Sequence, residues 1–163
     1  LQECKAAVEK LNDNTRTLGV ALSPCTVPAK GTPTFTLADD EMEYAVGHHG
    51  EPGTAKIKMM SADDITEKMT LEILEDLPFQ SGDDVAVLIN GLGGTPQIEL
   101  YICYRKVRKM LDERNIKVAL SYVGEFFTGL EMAGFSVTLT KLDEELHELL
   151  SAPADTPYYK LTS

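Results

Sequence analysis

The sequence predicts a single α/β domain in which helices pack on a β-sheet. Segments with strand patterns alternate with segments of helical periodicity along the chain, which is typical of this fold class. One segment, residues 84–90, is a continuous apolar and β-branched run bounded by turn residues, as expected of a buried strand. The chain has 163 residues, 43% of them hydrophobic, which is enough for one domain with its own core.

The first third of the chain predicts one helix and several short strands. Leu1, Cys4, Val8 and Leu11 recur at helical spacing, so a helix is expected at the start. In chain order, we then expect a short buried strand at residues 18–22, a proline-rich loop at 23–33, a brief edge strand around 35–37 and a strand at 41–46.

Two long helices are predicted in the middle of the chain, each with an apolar stripe. Ser61 can cap the first helix, with Asp64 three residues on in a capping-box-like arrangement. In the second helix Thr95 can cap and Pro96 takes the first helical position, where proline is favoured. This second helix is expected to end near Arg114.

The last third predicts two strands, two short helices and a tail. The strands are expected at residues 118–123 and 135–142, and the second should be half-exposed because its apolar residues alternate with Ser and Thr. Short helices are expected at 126–132 and 142–150. The tail at 153–159, rich in Pro and Tyr, predicts a packed or partner-contacting extension.

The composition narrows the possible functions. The net charge is -11 and the pI is about 4.6. This argues against a nucleic-acid-binding protein, which would need a basic face. No apolar run is long enough to span a membrane. The three cysteines are odd in number and unpatterned, which predicts reduced thiols in a cytoplasmic protein.

The segment from Gly47 to Gly53 is the strongest candidate for a functional site. It holds two of the three histidines, His48 and His49, among glycines and a proline that end strands and shape loops. Side chains alternate between faces along a strand, so if the preceding strand continues, His49 shares the face of Glu43 and His48 takes the other. A solvated turn with two incidental histidines is an equally open interpretation. No Cys or His elsewhere has the spacing of a metal site, so no metal is predicted.

Other motifs give weaker signals. The strand, glycine loop and helix at residues 85–96 could form a phosphate cradle, but no phosphate-binding-loop pattern is present. A tight strand-to-helix turn is the favoured interpretation, and we expect the chain to bind no ATP by itself. No serine or cysteine nucleophile motif occurs, and paired carboxylates in so acidic a chain are typical of solvated faces.

Several separate motifs resemble one known family. They lie at residues 17–28 (TLGVALSPCTVP), 41–43 (EME), 49–53 (HGEPG), 90–96 (NGLGGTP), 100–101 (LY) and 132–139 (MAGFSVTL). In this order they resemble the dihydroxyacetone-binding subunit of dihydroxyacetone kinase, over nearly the whole chain. The resemblance implies that residues 1–163 correspond to the C-terminal domain of such a subunit, with its N-terminal half absent.

The resemblance implies a fold and a chemistry. The corresponding half of family members is similar in having a mixed sheet with helices packed on it, so some strand pairs should be antiparallel. The family's motif histidine falls on His49, which by this resemblance binds dihydroxyacetone as a covalent hemiaminal through Nε2. A carboxylate on the other ring nitrogen would fix the tautomer, and Glu51 and Glu43 are candidates because they are near in sequence.

The resemblance also implies partners. The complete enzyme would phosphorylate dihydroxyacetone, with the nucleotide (ADP or ATP) and Mg held by another subunit or domain. That nucleotide is either exchanged as ATP or recharged by a phosphotransferase-system protein. Family subunits are similar in forming homodimers, and one is expected here. The family's acid–base residues lie in the half that is absent, so they have no number in this sequence.

Three functions stay open, of which the kinase subunit is favoured. The second is a non-catalytic dihydroxyacetone-binding paralogue that acts as a transcriptional coactivator, and the third is a domain that acts only through partner contacts. Two departures from the family pattern bear on the choice. The family has an apolar residue in place of His48, and its usual Thr-Ser-Leu-Asp-Met reads Thr-Gly-Leu-Glu-Met at residues 128–132.

Overall fold

The structure, a computed structural model, describes residues 1–48 and 50–162. The helices are α1 (Gln2–Asp13), α2 (Ala62–Asp76), α3 (Gln97–Asp112) and α4 (Glu144–Ser151). The strands are β1 (Thr15–Ala21), β2 (Glu41–Tyr44), β3 (Ala55–Lys58), β4 (Asp84–Gly91), β5 (Lys117–Gly124), β6 (Gly134–Leu142), β7 (Ala154–Asp155) and β8 (Lys160–Leu161). None of the helices so described is both long and apolar enough to cross a membrane.

Six strands form one mixed sheet in the order β3-β2-β1-β6-β4-β5. The β4–β5 pair is parallel and is joined through α3, while the other neighbouring pairs are antiparallel. Strands β7 and β8 form a small separate hairpin at the end of the chain. The predicted α/β domain with a mixed sheet and packed helices is therefore confirmed.

Helices α2 and α3 cover one face of the sheet and form the main core with it. Val85, Val87 and Ile89 of β4 point to this face and pack with apolar residues of both helices, including the fully buried Leu100 and Val107. Because side chains alternate along a strand, the intervening residues of β4 face the other way. There a second apolar cluster joins the sheet to α4, with the end of α1 packed against it.

Of the two long helices, α2 begins at its predicted cap and α3 does not. Ser61 caps α2 as predicted, since its Oγ accepts a hydrogen bond from the Asp64 amide at 3.2 Å. Thr95 does not cap α3, because its hydroxyl instead donates to Gly134 O at 2.6 Å and accepts from the Gly134 amide at 2.8 Å. The N-cap position belongs to Pro96, and α3 ends at Asp112, close to the expected end near Arg114.

Two short predicted elements do not form. Residues 35–37 make no strand, and an isolated bridge joins Thr26 to Pro33 instead. Residues 126–132 are not helical, because Asn90 holds the amides of this segment and Leu130 adopts a left-handed backbone with φ of 59°. Helical periodicity over so short a stretch did not outweigh these contacts.

Strand β6 is more deeply buried than its alternation predicts. Its polar face carries Ser136 and Thr140, which are 1% and 7% exposed. The strand lies in the middle of the sheet, between β1 and β4, and its Val137 and Leu139 pack in the main core with α2 and α3. The Thr140 hydroxyl is hydrogen-bonded to that of Thr15 at 2.9 Å. The prediction of a half-exposed strand was wrong, since this Ser and Thr face is buried even though, among the described residues, the Ser136 hydroxyl has no hydrogen-bond partner.

Candidate functional site

Three loops gather at one end of the sheet, and the topology explains why. The carboxyl ends of the parallel strands β4 and β5 lie at the same end. Their loops, residues 92–96 and 125–133, meet there beside the start of β6. The third loop, residues 45–53, follows β2 and crosses β1, since the Val46 amide donates to Gly19 O at 3.2 Å. Loop clusters of this kind on a rigid sheet are the usual place for binding sites.

The 45–53 loop contains the predicted histidine segment. Strand β2 ends at Tyr44, and Ala45 has a left-handed φ of 57°. The assignment of His48 and His49 to opposite faces was conditional on the strand continuing to the histidines, and because β2 ends at Tyr44 that argument does not apply. Two main-chain hydrogen bonds shape the loop: Gly50 N donates to Gly47 O at 3.1 Å, and Gly47 N donates to Glu51 O at 3.2 Å. His49 itself lies outside the described residues.

The two predicted carboxylates lie in different surroundings. Glu43 is only 4% exposed, and its Oε1 accepts a hydrogen bond from the Gly53 amide at 2.8 Å. Its Oε2 is buried and has no hydrogen-bond partner within the part of the chain that the structure describes. Glu51 is exposed, and its side chain lies directly against Gly47, where a Cβ would overlap it. Glu43 therefore ties the end of the loop to β2.

We expect Glu43→Ala to destabilise the protein by about 1–3 kcal/mol, because the Gly53 amide loses its acceptor in a buried place. Glu43→Gln keeps an acceptor for that amide and should cost less. Unfolding in urea, followed by circular dichroism, measures both. Glu41→Ala is the matched control on the same strand, since Glu41 accepts an exposed hydrogen bond from Ala38 N at 3.0 Å. An equal loss in both alanine variants would contradict this role for Glu43.

The 125–133 loop is held in place by the end of β4. Asn90 is 1% exposed, and its Oδ1 accepts from the amides of Phe126 and Phe127, both at 2.8 Å. Its Nδ2 donates to Phe127 O at 2.7 Å. Further along, the Gly129 amide donates to Leu92 O at 2.8 Å. These bonds fix the main chain of the loop although Phe127 itself is 52% exposed.

The 45–53 and 125–133 loops touch each other at His48. The imidazole of His48 meets the ring of Phe127 edge-on, with centroids 4.7 Å apart and an interplanar angle of 75°. Among the described residues, each loop also holds one non-glycine residue in the left-handed region, Ala45 in the first and Leu130 in the second. Such backbone strain tends to collect where function constrains a loop.

The glycine turn after β4 is satisfied from within the protein. The Gly93 amide donates to Glu125 Oε2 at 2.9 Å, and the Gly94 amide donates to Met132 O at 2.9 Å. Burial raises the pKa of the Glu125 carboxyl above its ordinary value. The turn therefore offers these amides to the protein's own oxygens, which agrees with the predicted tight turn and not with a phosphate cradle.

Sequence reasoning missed the residues that support the site. Asn90, Glu125 and Phe127 were not predicted as functional, since each makes contacts with residues far away in the chain. A polar Asn at the end of an otherwise apolar buried strand was the one available signal. The tail prediction fared better, because the hydroxyl of Tyr158 donates to Glu125 O and Tyr159 packs against Tyr122 with centroids 6.2 Å apart. Within the described residues, no group of three or more His, Cys, Asp or Glu could hold a metal ion.

The fold and site define a mixed α/β domain that carries a histidine- and glycine-rich loop at one end of its sheet. Comparison with known proteins assigns this domain to a family. The chain belongs to the Dak1 domain family, whose model matches residues 1–158. The resemblance to the dihydroxyacetone-binding subunit of dihydroxyacetone kinase is confirmed.

Two relatives illustrate the range of the family. The chain is 42% identical over 161 residues to the dihydroxyacetone-binding subunit DhaK of a PTS-dependent dihydroxyacetone kinase of Listeria innocua, covering 99% of this chain and 49% of the relative. It is 40% identical over 156 residues to an L-erythrulose kinase of Pectobacterium atrosepticum, covering 93% of this chain and 26% of the relative. The chain thus spans about half the length or less of these relatives.

A solved structure shows the same fold. The dihydroxyacetone kinase operon co-activator DhaQ superposes with a TM-score of 0.86 at 29% sequence identity. The match covers 94% of this chain and 48% of the co-activator. A kinase subunit and a co-activator therefore both share this architecture.

Proposed function

We propose that this chain is the substrate-binding part of a dihydroxyacetone kinase, in which His49 holds the ketone covalently for phosphoryl transfer. The proposal rests above all on the loop motif HGEPG at residues 49–53, where the family's substrate-binding histidine falls on His49. The close similarity to a dihydroxyacetone-binding subunit supports it. Its activity, substrates and partners are proposed for a complete subunit of about twice this length, of which residues 1–163 would be the C-terminal domain.

The proposed chemistry is an addition to a carbonyl. The lone pair of His49 Nε2 forms a bond to the ketone carbon, and the π electrons of the carbonyl move to its oxygen. The oxygen gains a proton while the proton on Nδ1 leaves, so the product is a neutral hemiaminal and no oxidant is needed. Glycerol has no carbonyl and cannot form this bond, which gives a basis for discrimination that hydrogen bonds to hydroxyl groups lack.

A carboxylate beside Nδ1 would orient the ring and hold the departing proton. Glu43 and Glu51 are the proposed candidates. Glu43 is favoured by its burial and by the second carboxylate oxygen that has no hydrogen-bond partner among the described residues. Glu51, which is exposed against Gly47, is the alternative.

The phosphoryl donor belongs to the proposed partners. The sequence carries no nucleotide-binding motif, so we place ADP or ATP with Mg on a separate kinase subunit or domain, with either ATP or a phosphotransferase-system protein as the ultimate donor. The relative from Listeria is named as a subunit of a PTS-dependent kinase, which supports such a partner. A homodimer in the cytoplasm completes the proposal.

Two alternatives rest on specific similarities. The likeness to the co-activator DhaQ supports a protein that binds dihydroxyacetone without phosphorylating it. The likeness to an L-erythrulose kinase supports a ketose with one more carbon as the substrate. Phosphorylation assays with the kinase partner present, using dihydroxyacetone and erythrulose in parallel, decide between these and the main proposal.

We expect His49→Ala to abolish dihydroxyacetone binding in the complete subunit, because the proposed covalent bond can no longer form. Isothermal titration measures this, with glycerol as the ligand that lacks a carbonyl. His147→Ala, which removes an exposed histidine on α4, is the control and should keep the affinity. Undiminished binding in His49→Ala, or equal binding of glycerol and dihydroxyacetone to the wild type, would overturn the proposal.

A further inference from the structure

Gly129 leaves no room between the two loops that meet at the candidate site. A Cβ built on this residue would lie 2.5 Å from His48 O and 3.0 Å from the Cε of Met132. The φ of Gly129 is outside the left-handed region, so the backbone conformation alone would admit any residue. What demands glycine here is the close approach of the His48 main chain.

Phe127 makes the second contact between the loops. Its ring meets the His48 imidazole edge-on at 4.7 Å between centroids. Side chain and main chain of His48 are therefore both seated on one short segment, residues 127–129. His48 directly precedes the residue proposed to bind the substrate.

The 127–129 segment is held in place by hydrogen bonds from the end of β4 and the loop that follows it. Asn90 fixes Phe127 through both its amide and its carbonyl, and Leu92 O accepts from the Gly129 amide. A side chain added at position 129 would therefore displace the 45–53 loop more readily than its own segment. Displacement of a reacting group by about 1 Å can cost a hundredfold in rate.

We propose that Gly129 and Phe127 are positioning residues, which seat the 45–53 loop through His48 and so set how completely the site captures its ketose. This inference rests on the proposed covalent role of His49. Both departures from the family pattern, His48 and Gly129, take part in this contact between the loops.

The test compares Gly129 with Gly124, a second glycine nearby in the sequence. Gly129→Ala introduces a methyl group against His48 O, whereas the Cβ of Gly124→Ala would meet only the ring of Phe126, at 3.4 Å or more. Both variants are made in the complete subunit, together with Phe127→Leu, which removes the ring contact at an exposed position. NMR at saturating ligand then measures the covalent fraction. This is the share of bound ¹³C-labelled dihydroxyacetone whose ketone carbon has become tetrahedral and is bonded to nitrogen.

We expect Gly129→Ala to lower this covalent fraction about tenfold or more, Phe127→Leu to lower it less, and Gly124→Ala to leave it unchanged. A purely structural role would reduce the folded fraction and leave the covalent fraction of the folded protein unaltered. If Gly129→Ala does not fold, Phe127→Leu decides: a lower covalent fraction supports the inference and an unchanged one overturns it.

The outcome also separates this inference from the proposed function. A wild type that forms no carbon–nitrogen bond refutes the role of His49, and the inference falls with it. A wild type that forms the bond, with Gly129→Ala and Phe127→Leu forming it equally well, overturns the inference alone.

Discussion

Gly93→Ala is expected to be among the most destabilising single substitutions in the glycine turn after β4, lowering the free energy of unfolding by at least about 3 kcal/mol. Two effects combine there. The φ of Gly93 is 118°, a conformation that L side chains rarely adopt, and a Cβ would overlap the carbonyl oxygen of Leu130. Since that oxygen belongs to the main chain, the clash cannot be relieved by a side-chain rotation. Urea unfolding followed by circular dichroism measures the loss.

Gly82→Ala separates the two effects. Gly82 also has a left-handed φ, 94°, but a Cβ there would meet nothing within 4 Å. It should therefore show the cost of the backbone conformation alone, about 1–2 kcal/mol. If the two variants are equally stable, the close packing of the 92–96 and 125–133 loops is not what the structure indicates.

Asn90→Ala is expected to lower the free energy of unfolding by about 3 kcal/mol, because it removes three hydrogen bonds in a buried position. The amides of Phe126 and Phe127 and the carbonyl of Phe127 would all lose their hydrogen bond to Asn90. The 125–133 loop should then exchange its amide protons faster than the strands of the sheet. Hydrogen–deuterium exchange with mass spectrometry locates this change.

Two further variants sharpen the test of Asn90. Asn90→Asp keeps an acceptor for both amides but places a carboxylate oxygen against Phe127 O, so its cost should be intermediate. Asn14→Ala is the matched control, since the Asn14 side chain makes a single local bond to Lys10 O at 2.9 Å. Its loss should be about 1 kcal/mol or less. Exchange that is unchanged in the loop of Asn90→Ala would contradict the anchoring role.

The sequence predicted the parts of the fold that depend on local patterns. The continuous apolar run of β4 predicts a buried strand, because the strand is covered on both faces. Ser61 predicts the start of α2, because a capping hydroxyl bonds to an amide only three residues away. The errors share one cause. Thr95, residues 126–132 and strand β6 all took their final form from contacts with distant parts of the chain, which no local pattern contains.

The candidate site shows the same division. The histidine loop stood out by its composition, and the resemblance pointed to His49 within it. Asn90, Phe127 and Gly129 could not be found in this way, because their importance lies in bringing the ends of β4 and β5 against a loop from β2. The order of strands in the sheet decides that meeting, and the sequence does not display it.

The most direct test of the central claim is an NMR experiment on the complete subunit. Histidine is labelled with ¹⁵N, and dihydroxyacetone is labelled with ¹³C at the ketone carbon. A hemiaminal at His49 predicts a one-bond coupling between that carbon and an imidazole nitrogen, present in the wild type and in His147→Ala and absent in His49→Ala. A folded wild-type protein that shows only the free ketone and its hydrate would contradict the claim.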